Sequence, residues 1–276
     1  GQIGDQGLVK SDKFEANVLD CKKLAMGSDK IVFLHKVKIT SGCAQKLVVC
    51  ILKVDEGNRL EISSHHSSTH LLHEALRQKL GLHVEQKGSL VSSEKLRFDF
   101  SHNKPIDQKE MSEIENMVNT KIQEQEKIET TIMTPEKAIK NGAIALFGEK
   151  YGDEVRVVSM GGKSHDKRLA WSVELCGGTH LNDTSQAILF KIIQETGVSS
   201  GIRRIEAITR KSALNYLIEK NKILESITSK LNTQPNMIMN KIEQLINEKD
   251  QLKSSMNKLK NEFLVQSDNF ANFIAI

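Results

Sequence analysis

Aromatic side chains are scarce in this 276-residue chain, at 4%, with one Trp and two Tyr. The hydrophobic 38% must therefore build a core mainly from Leu, Ile and Val, enough for one large or two modest domains. No uninterrupted apolar run approaches the roughly 18 residues that cross a bilayer, and the N-terminus lacks the basic start and apolar stretch of a secretory signal. These absences point to a cytoplasmic chain with no membrane partner. Strong charge is missing too: 39 Lys and Arg against 35 Asp and Glu leave +4, which permits a nucleic-acid partner without demanding one. The four cysteines, Cys21, Cys43, Cys50 and Cys176, form no close CxxC pair and give poor grounds for a disulfide framework.

What is present is uneven. Residues 1 to 62 alternate Gly, Asp and Ser clusters with β-branched runs, Lys30–Leu34 and Lys46–Leu52, and read as a small antiparallel β unit resembling a barrel. No Met opens the chain, which reads as an excised piece. From Ser64 the period changes: Leu71, Leu72, Ala75, Leu76 and Leu80 recur at helical spacing, and Gly81 supplies a stop, predicting a helix of about four turns. Strands are expected at Leu96–Phe100, Glu129–Met133, Glu154–Ser159, Leu169–Leu175, Ala187–Gln194 and Gly201–Ile208, with helices at Lys109–Gln123 and from Pro135. The pattern is α+β with a mostly antiparallel sheet.

After Arg210 glycine disappears, and Ile238, Ile242, Leu245, Leu252, Met256, Leu259 and Phe263 keep a heptad seam interrupted at Lys249. Asn232–Pro235 separates this stretch from a preceding helix. A helical hairpin packed on itself is expected ahead of a dimer zipper, although the arm remains open to self-association. The division is thus 1–62, a β unit; 63–210, an α+β domain; and 211–276, a helical arm.

Five of nine histidines, His65, His66, His70, His73 and His83, fall within nineteen positions. His66 and His70 are four apart, about 40° around a helix, and so share a face. His65 and His73 are rotated from that face by about 100° and 60° and are expected to be neighbours rather than ligands. Far downstream, Cys176-Gly-Gly-Thr-His180 can turn a thiol and an imidazole towards one point. Each motif alone is weak, since two histidines on a helix are usually surface or capping residues. Together they offer three nitrogens and a sulfur, a composition suited to tetrahedral zinc.

Longer motifs carry a family resemblance. His66–Arg77 (HSSTHLLHEALR), Gly81–Val91 (GLHVEQKGSLV), Leu96–His102 (LRFDFSH), Ala145–Asp153 (ALFGEKYGD), Glu174–His180 (ELCGGTH) and Gly201–Ala207 (GIRRIEA) resemble, in order, the editing region of alanyl-tRNA synthetases. Gly1–Asp5 resembles the end of that region's glycine-rich entry. Residues 161 to 169 depart as a short insertion, Ser185–Ala187 replaces a more glycine-rich turn, and Arg210 stands where the family often has glycine.

The resemblance implies hydrolysis of the ester joining serine or glycine to alanine-specific tRNA, zinc held by His66, His70, Cys176 and His180, and substrate discrimination by Gln86. ATP would serve only an aminoacylation domain, which this stretch does not contain. Whether zinc activates water or orients the site stays open, because four protein ligands leave no free position. Thr69 could meet the serine hydroxyl but reads first as a helix-surface residue. Arg203 and Arg204 are candidates for tRNA phosphate contact. Alternatives are a zinc-stabilised tRNA-binding module without turnover, a free-standing alanyl editing protein, and the related editing domain of threonyl-tRNA synthetases.

Overall fold

The computed structural model describes residues 1–26, 30–46, 48–144, 152–162 and 169–274. Most of the Ala145–Asp153 motif, most of the 161–169 insertion, His165 and Leu47 lie outside the described residues. Two compact units divide the chain, Gly1–Asn215 and Tyr216–Ile276.

The first unit is α+β, and its three sheets are antiparallel. Strands β1 (Gly7–Lys10), β2 (Phe14–Met26), β3 (Lys30–Gly42) and β4 (Ile51–Val54) form a sheet in the order β3-β2-β1-β4. The sheet is open: among the described residues β3 and β4 are its two edges, so the expected barrel is not closed. The Lys46–Leu52 run becomes a strand only from Ile51, where it meets Lys10 of β1. Val49, just before, is 89% exposed.

Helix α1 (Glu56–Leu80) starts two turns earlier than the leucine period indicates. Asp55 caps it by accepting from Asn58 N, and Gly81, at φ +116°, closes it through a hydrogen bond to Arg77 O. Residue 62 thus lies inside a helix. The early turns escape a hydrophobic period because their buried face is polar: Ser63, Ser64, His65, Ser67, Ser68, Thr69 and His70 are all buried.

A second sheet, ordered β10-β11-β6-β5, joins β5 (Gln86–Val91), β6 (Leu96–Ser101), β10 (Phe190–Ser199) and β11 (Ile202–Thr209). Helices α1 and α2 (Gln108–Gln123) share its core, where Leu71, Leu72 and Leu76 meet Phe98, Phe100, Ile114, Val118 and Ile205. A capping box of Asp107 and Glu110 starts α2. The third sheet, β7 (Glu129–Met133), β8 (Val155–Met160) and β9 (Ser172–Leu175), adds Val158 and Met160 to that core. Short helix α3 (Pro135–Lys140), capped by Thr134, follows β7.

Two departures from the family acquire backbone meaning. The expected strand at Ala187 begins only at Phe190, because Thr184–Ala187 is a 3-10 turn that ends on Ile188 at φ +63°. A β-branched residue rarely adopts that region. Arg210 likewise has φ +48°, a conformation glycine takes freely, and its guanidinium bonds Glu61 at 3.1 Å and the carbonyl of Gln186.

Helix α4 (Arg210–Leu231) runs into the second unit and ends on Asn232 at φ +47°, with Thr233 N bonded to Thr228 O. A 3-10 turn at Pro235–Met237 leads into α5 (Ile238–Ile274). The hairpin expected to cover the seam differs from what is built: Leu252, Met256, Leu259 and Phe263 are 63 to 78% exposed. No helix among the described residues is long and apolar enough to cross a membrane.

Candidate metal centre

Helix α1 places His66 and His70 on one face, and β9 delivers Cys176 and, through the Gly177–Gly178 turn, His180 opposite them. The donor atoms of these four residues lie within 4.8 Å of one another. Cys176 Sγ is 3.3 Å from Nε2 of both His66 and His180. Tetrahedral zinc with ordinary Zn–N and Zn–S bonds separates such atoms by about 3.5 Å. His70 Nε2 is buried without a hydrogen-bond partner, an orphan that a bound ion would satisfy. On distance, donor chemistry and that orphaned nitrogen, the four residues fit zinc.

The far nitrogens are held as well. Nδ1 of His70 meets Glu174 Oε2 at 2.8 Å, Nδ1 of His66 meets Gln2 Oε1 at 2.8 Å, and Nδ1 of His180 meets Ser67 Oγ at 3.3 Å. Such outer partners fix each imidazole's orientation and leave Nε2 for the metal. Glu174 also takes His73 Nδ1 at 3.0 Å, so one buried carboxylate serves two rings.

Electrostatics favour an ionised thiol. Burial works against the Cys176 thiolate, but the imidazoles of His180, His66 and His70 gathered around its sulfur outweigh it and hold the group well below the usual thiol range. Burial would likewise raise Glu174, yet His70 and His73 keep it ionised. Burial pushes His180 down to about 4, leaving a neutral ring that can donate a lone pair.

The loop is anchored from β8. Cys176 N bonds Arg156 O at 3.0 Å, and Arg156 Nη1 reaches Cys176 O at 3.1 Å and Gly178 O. Ser67 Oγ accepts from Leu181 N at 3.1 Å, tying helix to loop. Sequence reasoning missed Arg156, Glu174, Ser67 and Gln2. Only Glu174 carried a signal, since strand alternation sets it on the face of Cys176.

Other sequence candidates stand elsewhere. His65, wholly buried, spans Ser92 O at 2.8 Å and Thr209 N at 3.1 Å. His83 and His102 pair with each other at 2.9 Å. Thr69 spends its hydroxyl proton on His65 O. Gln86 opens β5, where its amide nitrogen bonds Ser89 Oγ at 3.4 Å. Arg203 pairs with Glu195 and Arg204 with Asp99, each through two nitrogens.

A profile of the family described as "Threonyl and Alanyl tRNA synthetase second additional domain" matches residues 155–206, the stretch that holds Cys176 and His180. Two curated relatives named "Alanine--tRNA ligase" align over almost the whole chain. That of Mesorhizobium japonicum is 42% identical over 258 residues, covering 93% of this chain and 29% of the ligase. That of Sinorhizobium medicae is 41% identical over 270 residues, covering 97% and 30%. The chain therefore spans about 30% of the length of the relatives it matches.

Proposed function

Because the chain is a segment of the alanyl-tRNA synthetase family, we propose that it edits alanine-specific tRNA, hydrolysing the ester that joins it to a wrong serine or glycine. The observation that supports this reading is the convergence of His66, His70, Cys176 and His180, with the three Nδ1 atoms already partnered. Zinc held by these four residues would tie α1 to the Cys176–His180 loop and so orient the site that receives the 3′ end of the tRNA. A four-ligand centre leaves no open position, so orientation rather than water activation is its assigned role.

Substrate choice falls to the chain's own side chains. A synthetic pocket cannot strongly reject a substrate that is smaller or adds only a hydroxyl, whereas a site built to hydrogen-bond that hydroxyl discriminates well. Gln86 suits this task, because its 3.4 Å bond to Ser89 is long and leaves the amide able to turn. Thr69 does not, its hydroxyl proton being committed within the helix. Glycine would be admitted by size. Phosphate contact through Arg203 and Arg204 would use the one guanidinium nitrogen each leaves outside its ion pair. Functionally we retain a β unit at 1–62, an editing domain at 63–210 and an arm at 211–276 open to self-association.

The closed ligand set also favours a second reading, a zinc-stabilised tRNA-binding module without turnover. Incubating the chain with seryl-tRNA of alanine specificity separates the two. Ester loss above buffer that a chelator suppresses is the expected result. No excess loss with zinc present would remove the hydrolase and leave the binding module.

A further inference from the structure

We infer that Gln2 is a positioning residue for the metal centre, using its amide to set the proton on His66 and to join the two halves of the site. The inference rests on the zinc reading above and extends it to a residue on the N-terminal segment.

That segment is laid beside β5: Val91 N bonds Gly1 O at 2.8 Å, Ile3 N bonds Val91 O at 3.1 Å, and Asp5 pairs with Arg59. Gln2, between these anchors, reaches the centre and makes three hydrogen bonds there. Its Oε1 accepts from Thr179 N at 2.9 Å and faces His66 Nδ1 at 2.8 Å, while its Nε2 donates to Thr179 Oγ1 at 2.9 Å.

The logic of donors then runs in one direction. A backbone N–H can only donate, so Thr179 N requires the amide oxygen, not the amide nitrogen, at its side. With the amide orientation fixed, His66 Nδ1 faces an acceptor and must carry the ring proton. Nε2 is thereby the nitrogen left to bind metal, and it is the one 3.3 Å from Cys176 Sγ. Gly178 keeps the arrangement close: a Cβ there would lie 2.1 Å from His66 Cε1 and 2.7 Å from Gln2 Oε1. Gln2 therefore reads the position of the Cys176–His180 loop and transmits it to a ligand on α1.

The test compares zinc affinity, by competition with a chromophoric chelator, for the full chain and for Gln2→Met and Gln2→Glu. The apolar variant of similar length should bind zinc about 10- to 100-fold more weakly, the usual effect of losing a ligand's outer partner. The carboxylate, which still accepts from His66 and Thr179 N, should restore affinity to the native level or tighter. Cobalt loaded in place of zinc should show an altered ligand-field spectrum in Gln2→Met alone. Should Gln2→Met misfold, Gln2→Ala must still bind more weakly than Gln2→Glu. Native affinity and spectrum in Gln2→Met, or an equal loss in Gln2→Glu, would overturn the role of Gln2. A native chain that binds no zinc would instead overturn the metal centre itself.

Discussion

Helix α1 buries polar residues, whereas α5 exposes apolar ones. From Ser63 to Glu74 the buried positions of α1 include four serines, a threonine, three histidines and a glutamate. Along α5, Leu252, Met256, Leu259 and Phe263 lie open. Burying polar groups is costly unless each finds a partner, and most on α1 do: Ser64 bonds Thr209, His65 bonds Ser92 and Thr209, Ser67 bonds Leu181, and His70 and His73 share Glu174, while Ser68 Oγ has no hydrogen-bond partner among the described residues. Hydrophobic pattern therefore misreads both helices, in opposite senses. In α1 the polar face marks a site. In α5 the apolar face lies open from Leu252 to Phe263.

The sharpest way to break this comparison is to remove a ligand from the polar side. Cys176→Ala deletes the only sulfur of the donor set and leaves three imidazoles. Zinc affinity should fall by more than the roughly 100-fold of a lost outer partner, and the rise in melting temperature that zinc gives the native chain should vanish. Metal analysis after gel filtration, with paired thermal melts, reads both. Full zinc content in the variant would contradict the ligand assignment.

A smaller effect tests the polar residues that are not ligands. His65→Leu leaves Ser92 O and Thr209 N without their partner, and each such buried group costs about 1–3 kcal/mol. Urea titration should show a loss of about 3 kcal/mol with zinc stoichiometry unchanged. Loss of the metal instead would move His65 from the scaffold into the site.

The same contrast explains what could be read from sequence. Helix α2 was legible at Lys109–Gln123, and the structure starts it one residue earlier on the Asp107–Glu110 capping box, whose two reciprocal bonds both form. The start of α1 was not, because its buried face is held by hydrogen bonds that leave no hydrophobic period. His66 and His70 were visible as a helical pair and Cys176 and His180 as a glycine turn, while what joins them is tertiary. Gln2 stands 64 positions before His66, and no local pattern links them. The positive φ at Ile188 and Arg210 was equally hidden, since neither residue type signals a left-handed backbone. Seam residues such as Leu252 were recognised, but periodicity shows only that a face is apolar, not that anything covers it.

That last point sets the smallest expected effect. Leu252 and Leu259 are 71% and 65% exposed, so replacing both with Gln removes little buried area. Substitutions at uncovered positions usually stay within about 0.5 kcal/mol, and Gln is nearly as good a helix former as Leu. At low concentration the helical signal of the double variant should therefore melt with the native one. A second copy covering the seam would give a different result at high concentration: sedimentation would show a rising mass for the native chain and a constant one for the variant. A loss above about 1 kcal/mol in dilute solution would mean that the stripe is covered within the single chain, and the contrast with α1 would fail at its apolar end.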